Sequence, residues 1–162
     1  NKYLYSIPNS EGNKGEEKLY APTNITTDKD GNLYVSDAGA FNVKKYDLQG
    51  KYLKTYGKHG DAPGEFARPK GVAVDREGRI YVVDSAFENV QILDPDGKLL
   101  LFFPDQDEEN KLALPAGIAI DYDHVDYFSE FVDKGFEVEY LLFVVSQYGP
   151  RKVSVFGFGH KK

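Results

Sequence analysis

The chain has 162 residues, 20 Lys+Arg against 26 Asp+Glu for a formal net charge of −6, and 41% apolar and 14% aromatic residues. That length fits one globular domain, and the acidic balance argues against nucleic acid, because phosphate binding needs a basic field. The chain lacks Cys, which excludes disulfides, thiolate metal sites and thioether-attached haem, and it lacks Met, which points to a processed or missing front.

In chain order, Lys2-Tyr3-Leu4-Tyr5-Ser6-Ile7 matches the later Lys51-Tyr52-Leu53-Lys54-Thr55-Tyr56 and reads as a strand. The stretch from Ala21 to Asp28 recurs as Arg68 to Asp75 and as Leu114 to Asp121, with prolines at 22, 69 and 115 spaced by 47 and 46 residues. Gly31 to Asp37 recurs as Gly78 to Asp84, Asn42 to Asp47 as Asn89 to Asp94, and Gly50 to Tyr56 as Gly97 to Phe103. β-branched and aromatic residues fill these segments, and Asp30-Gly31, Glu77-Gly78 and Asp96-Gly97 mark tight turns. Four short antiparallel strands per repeat predict an all-β fold, a β-propeller segment of four-stranded blades.

The third unit departs from the pattern. Its first strand ends at Asp121, and the next matching strand is Leu142 to Ser146, with Ser146 where the other units have Asp37 and Asp84. Lys152 to Phe156 matches a third strand and closes the series. The chain therefore divides into the end of a preceding blade (1–18), two blades (19–65 and 66–110) and a third (111–162) with an insertion at 122–140. The longest apolar runs, Leu99 to Phe103 and Leu141 to Val145, are far short of the roughly 20 residues that span a membrane.

Residues 121–140 hold seven acids and one base, which equals the net charge of the whole chain. Val125, Phe128, Phe131 and Val132 lie at helical spacing ahead of Gly135, which predicts a short amphipathic helix over 124–134. Such an acidic, aromatic protrusion either docks on a basic or apolar protein surface or packs on its own blade. Tyr127, Phe128, Glu130, Phe131 and Asp133 are its candidate contact residues. Tyr148 and Arg151, in the loop after the second strand, are candidates on the opposite face, because aromatic and Arg side chains dominate binding hot spots.

The repeated Asp28, Asp37, Asp47, Asp75, Asp84 and Asp94 read as turn-fixing carboxylates, since a short carboxylate accepts backbone N–H bonds there. His59, His124 and His160 occupy different repeat positions, which speaks against a metal held once per blade. No catalytic residue, metal ligand set or cofactor site is assigned.

Pro-x-Gly-Val-Ala-Val-Asp, then Gly-x-Ile-Tyr-Val-x-Asp, Asn-Val-x-x-x-Asp and Gly-Lys together resemble the NHL repeat, with residues 66–103 the best copy. The linker Gly57-x-x-Gly60-x-x-x-Gly64-x-Phe66 is similar to that family's inter-blade loop. The resemblance covers all but about 122–140 and implies a bacterial, six-bladed propeller. It implies further a non-catalytic protein-binding or scaffold module in the periplasm or outside the cell, in a setting such as an accessory to a multihaem c-type cytochrome. The enzyme alternative it implies is a lyase or hydrolase with a metal in the central channel; RNA binding, known for some animal members, would need a basic face. Three blades cannot close a ring. The remaining blades are expected from an N-terminal segment, which the missing Met favours, from a second chain, or from a symmetry copy.

Overall fold

The computed structural model describes residues 1–8, 14–104 and 110–162. Two four-stranded antiparallel sheets and one three-stranded sheet stand side by side. The first sheet is β1 (Pro22–Thr27), β2 (Leu33–Asp37), β3 (Asn42–Tyr46) and β4 (Tyr52–Tyr56). The second is β5 (Pro69–Val74), β6 (Ile80–Asp84), β7 (Asn89–Leu93) and β8 (Leu99–Phe103). The third is β9 (Pro115–Asp121), β10 (Phe136–Ser146) and β11 (Val153–Lys161), with β10 in the middle. The first strands of successive sheets lie beside one another, β1 next to β5 and β5 next to β9. This is the β-propeller segment expected from the repeat.

The period-2 geometry of a strand explains the seams. On β6, Ile80 and Val82 face the first sheet and join Tyr34, Val43, Tyr56, Phe66, Val72 and Leu93. Tyr81 and Val83 point the other way and join Val90, Ile92, Phe103, Leu112, Tyr140, Leu142 and Val144. The second sheet is thus buried on both faces, so β6 reads as continuous apolar sequence rather than an alternation. Each seam is locked by one residue of the preceding linker, Phe66 in one and Leu112 in the other, both fully buried.

The repeated carboxylates fix turns. Asp37 accepts the backbone N–H groups of Tyr20, Ala21, Gly39 and Ala40 at 2.6–3.1 Å. Asp84 accepts those of Ala67, Arg68, Ala86 and Phe87 at 2.7–3.2 Å. Both carboxylates are fully buried. Each ties the loop after the second strand to the chain entering the first. In the third sheet Ser146 accepts only the Ala113 N–H, at 3.3 Å. Asp47 and Asp94 accept the N–H groups two and four residues on, across hairpins closed by Gly50 (φ 83°) and Gly97 (φ 92°).

Three sequence expectations are corrected. The insertion is shorter than 122–140: Phe136 to Tyr140 belongs to β10, which pairs with β11 out to Phe136↔Lys161. The hairpin therefore runs several residues beyond the blade length of the other sheets. The alternation of Phe136, Val138 and Tyr140 in the sequence carried that strand signal, and a bulge between Val138 and Tyr140 turns Val138 to the outward face while Tyr140 meets Phe156 and Phe158 in the seam. The helix expected over 124–134 is a 3-10 helix over Val125–Phe131. It has no buried residue, and Val132 is already extended (φ −93°, ψ 134°). Residues 2–6 lie in no strand, since a strand needs a ladder partner and none stands beside them among the described residues.

Candidate functional site

Asp121 shapes the start of the insertion. Its Oδ1 accepts the N–H groups of Asp123 and His124 at 2.9 and 2.8 Å, and Oδ2 lies 2.8 Å from His124 Nδ1. The bond from His124 holds the Asp121 carboxyl below its usual range, and the same bond raises the His124 imidazole. Tyr122 then turns back to the second sheet. Its hydroxyl accepts the Arg76 N–H at 3.1 Å, and the Arg76 guanidinium lies 3.8 Å from its ring centre.

The 3-10 helix lies as a strap over the outward face of the third sheet. Phe128 packs edge-on against Phe143, ring centres 6.0 Å apart. Between strap and hairpin is an apolar groove of about 410 Å³, lined by Val125, Phe128, Phe131, Val132, Val138, Leu141, Val155 and Gly157. Tyr127 and Phe131 remain 77% and 76% exposed. Glu137 pairs with Lys162 at 3.5 Å, and Glu139 with His160 at 2.8 Å. Asp123, Asp126, Glu130 and Asp133 have no ion-pair partner among the described residues. The groove is thus an apolar slot under a segment whose exposed acids are free of ion pairs among the described residues.

The sequence candidates fall into two groups. Tyr127, Phe128, Glu130, Phe131 and Asp133 share the strap, where Phe128 anchors and the others are exposed. Tyr148 and Arg151 are exposed in the loop that follows β10, the strand whose Phe143 the strap residue Phe128 touches. Tyr148 is held by its N–H on the Ala113 carbonyl at 3.2 Å.

Sequence reasoning missed a polar network inside the seams. The Tyr81 hydroxyl donates to Asp75 at 3.0 Å and meets the Tyr140 hydroxyl at 2.6 Å, while Arg79 pairs with Asp75. Burial, then the Tyr140 bond, raises the Tyr81 phenol well above its usual value. In the first seam burial pushes Tyr34 up to about 12, and Asp28 is held down by Asn32 and Lys45 against the opposing effect of its own burial. The spacing of Asp28 with Tyr34 and of Asp75 with Tyr81 repeats in the sequence and lies within one sheet each time; the meeting of Tyr81 with Tyr140 across the seam has no such signal. A larger hollow of about 710 Å³ lies between Asp61–Pro63 and Ala86–Asn89, ending at Pro104 and Lys111, which flank residues outside the described set.

Among the described residues no three His, Cys, Asp or Glu side chains come together as a metal site. His59 lies tilted against Phe41, ring centres 4.4 Å apart, and His124 and His160 pair with separate carboxylates. No described helix is long and apolar enough to cross a membrane.

A family model described as a 6-bladed beta-propeller matches residues 16–149. No curated protein matches the chain. Among solved structures it is similar to Kuenenia stuttgartiensis hydrazine synthase, with 19% identity, a TM-score of 0.59, and coverage of 86% of this chain and 33% of that one. It is also similar to a protein of unknown function from Bacteroides caccae (15%, TM-score 0.57, 89% and 48%). The calcium-binding protein regucalcin from Agrobacterium tumefaciens is comparable (16%, TM-score 0.56, 89% and 48%). The chain spans a third to a half of the length of these structures. At such identities the likeness shows the fold alone.

Proposed function

The chain belongs to the 6-bladed β-propeller family, and on that premise we propose that it is a non-catalytic, protein-binding part of an NHL-type propeller working outside the cytoplasm. The observation that supports this reading is the groove under the strap. An apolar slot with exposed Tyr127 and Phe131, on a segment that carries four exposed acids without ion-pair partners among the described residues, fits a partner segment with apolar anchors and basic flanks. An accessory role beside a multihaem c-type cytochrome is one setting for such a surface. The blades that complete the ring come from further polypeptide. The alternative, a lyase or hydrolase with a channel metal, predicts metal bound at stoichiometric levels.

A Lys- and Leu-rich amphipathic peptide serves as the probe. Its affinity is expected to fall as salt is raised, because the acids of this segment are exposed. Replacing residues 124–134 by a short Gly-Ser turn is expected to abolish binding while circular dichroism shows the sheets intact. Equal binding by both proteins removes the reading.

A further inference from the structure

The hollow of about 710 Å³ lies beside the linker between the two four-stranded sheets and shares no lining residue with the groove under the strap. Its walls are fixed by the chain's own bonds. One wall is the linker stretch Asp61–Pro63. Just beyond it Gln91 clamps the linker: Oε1 accepts the Gly64 N–H at 3.1 Å, and Nε2 donates to the Glu65 carbonyl at 2.8 Å. The Glu65 side chain in turn accepts the Ala62 N–H at 3.1 Å. The other wall is the loop after β6. There Asp84 holds the N–H groups of Ala86 and Phe87, and Glu88 accepts the Leu114 N–H at 3.3 Å. β8 adds Leu99 and Phe102, and the rings of Phe87 and Phe102 are 36% and 54% exposed.

The first sheet shows what covers these positions when the chain supplies it. Lys44, Tyr52 and Thr55 stand where the second sheet has Gln91, Leu99 and Phe102. Lys44 Nζ lies 5.9 Å from the Tyr52 ring centre and 3.5 Å from Thr55 Oγ1, and the Tyr52 and Thr55 hydroxyls meet at 2.8 Å. Gln91 takes over the bond that Lys44 makes to a linker carbonyl, but it brings no charge, and Leu99 and Phe102 bring no hydroxyl. The polar groups left open in the hollow are acceptors. The Asp61 carboxylate has no ion pair among the described residues, and Asn89 Oδ1 is buried without a hydrogen-bond partner. Asn42 Oδ1 is unpartnered as well, so that repeat position by itself marks no ligand. What distinguishes the second sheet is the open space beside it. Lys111, the one cation among the described lining residues, faces Glu88 at 3.7 Å.

We propose that this hollow binds an organic cation: an ammonium or guanidinium group on an aromatic or aliphatic body, either free or as the side chain of a peptide. The volume falls within the roughly 300–1,000 Å³ of small-molecule sites. The body of the ligand packs on Leu99, Phe102 and Phe87, which removes exposed apolar surface from water. Its cationic head pairs with Asp61, and Asn89 Oδ1 gains the donor it lacks. An anionic ligand meets Asp61 and Glu88 and is turned away by like charge. The strap takes no part in this site, so the proposal stands apart from the partner reading above.

Three indoles that differ in charge serve as probes: tryptamine, the neutral tryptophol and the anionic indole-3-propionate. Calorimetric titration of the 162-residue chain is expected to rank them in that order. Tryptamine is expected to bind about fivefold tighter than tryptophol, the worth of one exposed ion pair, and indole-3-propionate is expected to give no signal. Asp61→Asn is expected to erase the difference between amine and alcohol. Phe102→Thr, which installs the first sheet's residue, is expected to weaken both. The two positions are exposed, so both variants are expected to fold, and circular dichroism checks it. Replacing residues 124–134 by the Gly-Ser turn is expected to leave tryptamine binding unchanged. Acetyl-Phe-Arg-amide tells the two sources apart: tighter binding than tryptamine assigns the site to a peptide side chain, and weaker binding assigns it to a free amine. Absence of binding by both cations at millimolar concentration, equal affinity for the three indoles, a preference for the amine that survives Asp61→Asn, or loss of tryptamine binding with the strap overturns the proposal.

Discussion

The seam between the second and third sheets and the outward face of the third sheet use the same repeat positions, yet one is shut and the other open. In the seam, Tyr81, Val83, Val90 and Ile92 are buried against Tyr140, Leu142 and Val144. On the outward face, Val145, Val153 and Val155 stand in solvent apart from what the strap covers. The side chains are of the same kind, so the difference lies in the neighbour. A blade position is apolar because the ring needs it so, and whether it contributes stability depends on the next sheet being present.

The sharpest way to break this comparison is a matched pair of truncations. Ile92→Ala is expected to lower unfolding stability by about 2–5 kcal/mol, as for other large-to-small core changes. Val155→Ala, at the equivalent position on the open face, is expected to change the isolated three-sheet unit by less than about 0.5 kcal/mol. Urea denaturation reads both. Equal losses would mean that the outward face is covered in solution.

A somewhat smaller effect separates the loop anchors. Asp84→Ala strands four backbone N–H groups in a buried site, which is expected to cost about 3 kcal/mol, since hydrogen bonds to charged groups contribute about 1.5–3 kcal/mol. Ser146→Ala removes one long bond, and a loss of about 1 kcal/mol or less is expected. The same denaturation series ranks the two, and a larger loss at Ser146 would contradict the roles assigned here.

The smallest effect concerns charge on the open side. His124 is raised by its bond to Asp121, so its share of the pairing is full below the usual 6.5 and fades as pH rises through the raised value. Asp121 is lowered, so its share is present above the usual 3.8 and is lost as pH falls through the lowered value. NMR titration of the His124 ring is expected to show a midpoint above 6.5 that returns toward it in Asp121→Asn. An unmoved midpoint would show that the pair does not hold the strap's first turn in solution.

Much of the candidate site was legible beforehand. The acids and aromatics of the insertion stood out because they break a repeat that is otherwise close to neutral. The groove was not legible, because its wall is the hairpin extension, and Val138, Leu141 and Val155 meet Phe128 only through strand pairing. The strap's helix was misjudged in length and type for a related reason. Helical spacing in the sequence pointed to a short amphipathic helix over 124–134, but the sheet supplies an aromatic contact at Phe128, and a 3-10 helix over Val125–Phe131 suffices to make it.

By itself the sequence determined the strands, their order within each sheet and the carboxylate-fixed turns, because each of these follows from local patterning: alternation, a Gly accepting positive φ, an Asp reaching N–H groups along a short connection. Only the tertiary structure decided which apolar faces are sealed, and that Tyr81 and Tyr140 share a buried hydroxyl contact. Those outcomes depend on what stands across the gap, and a pattern of side chains along one strand carries no record of the sheet that faces it.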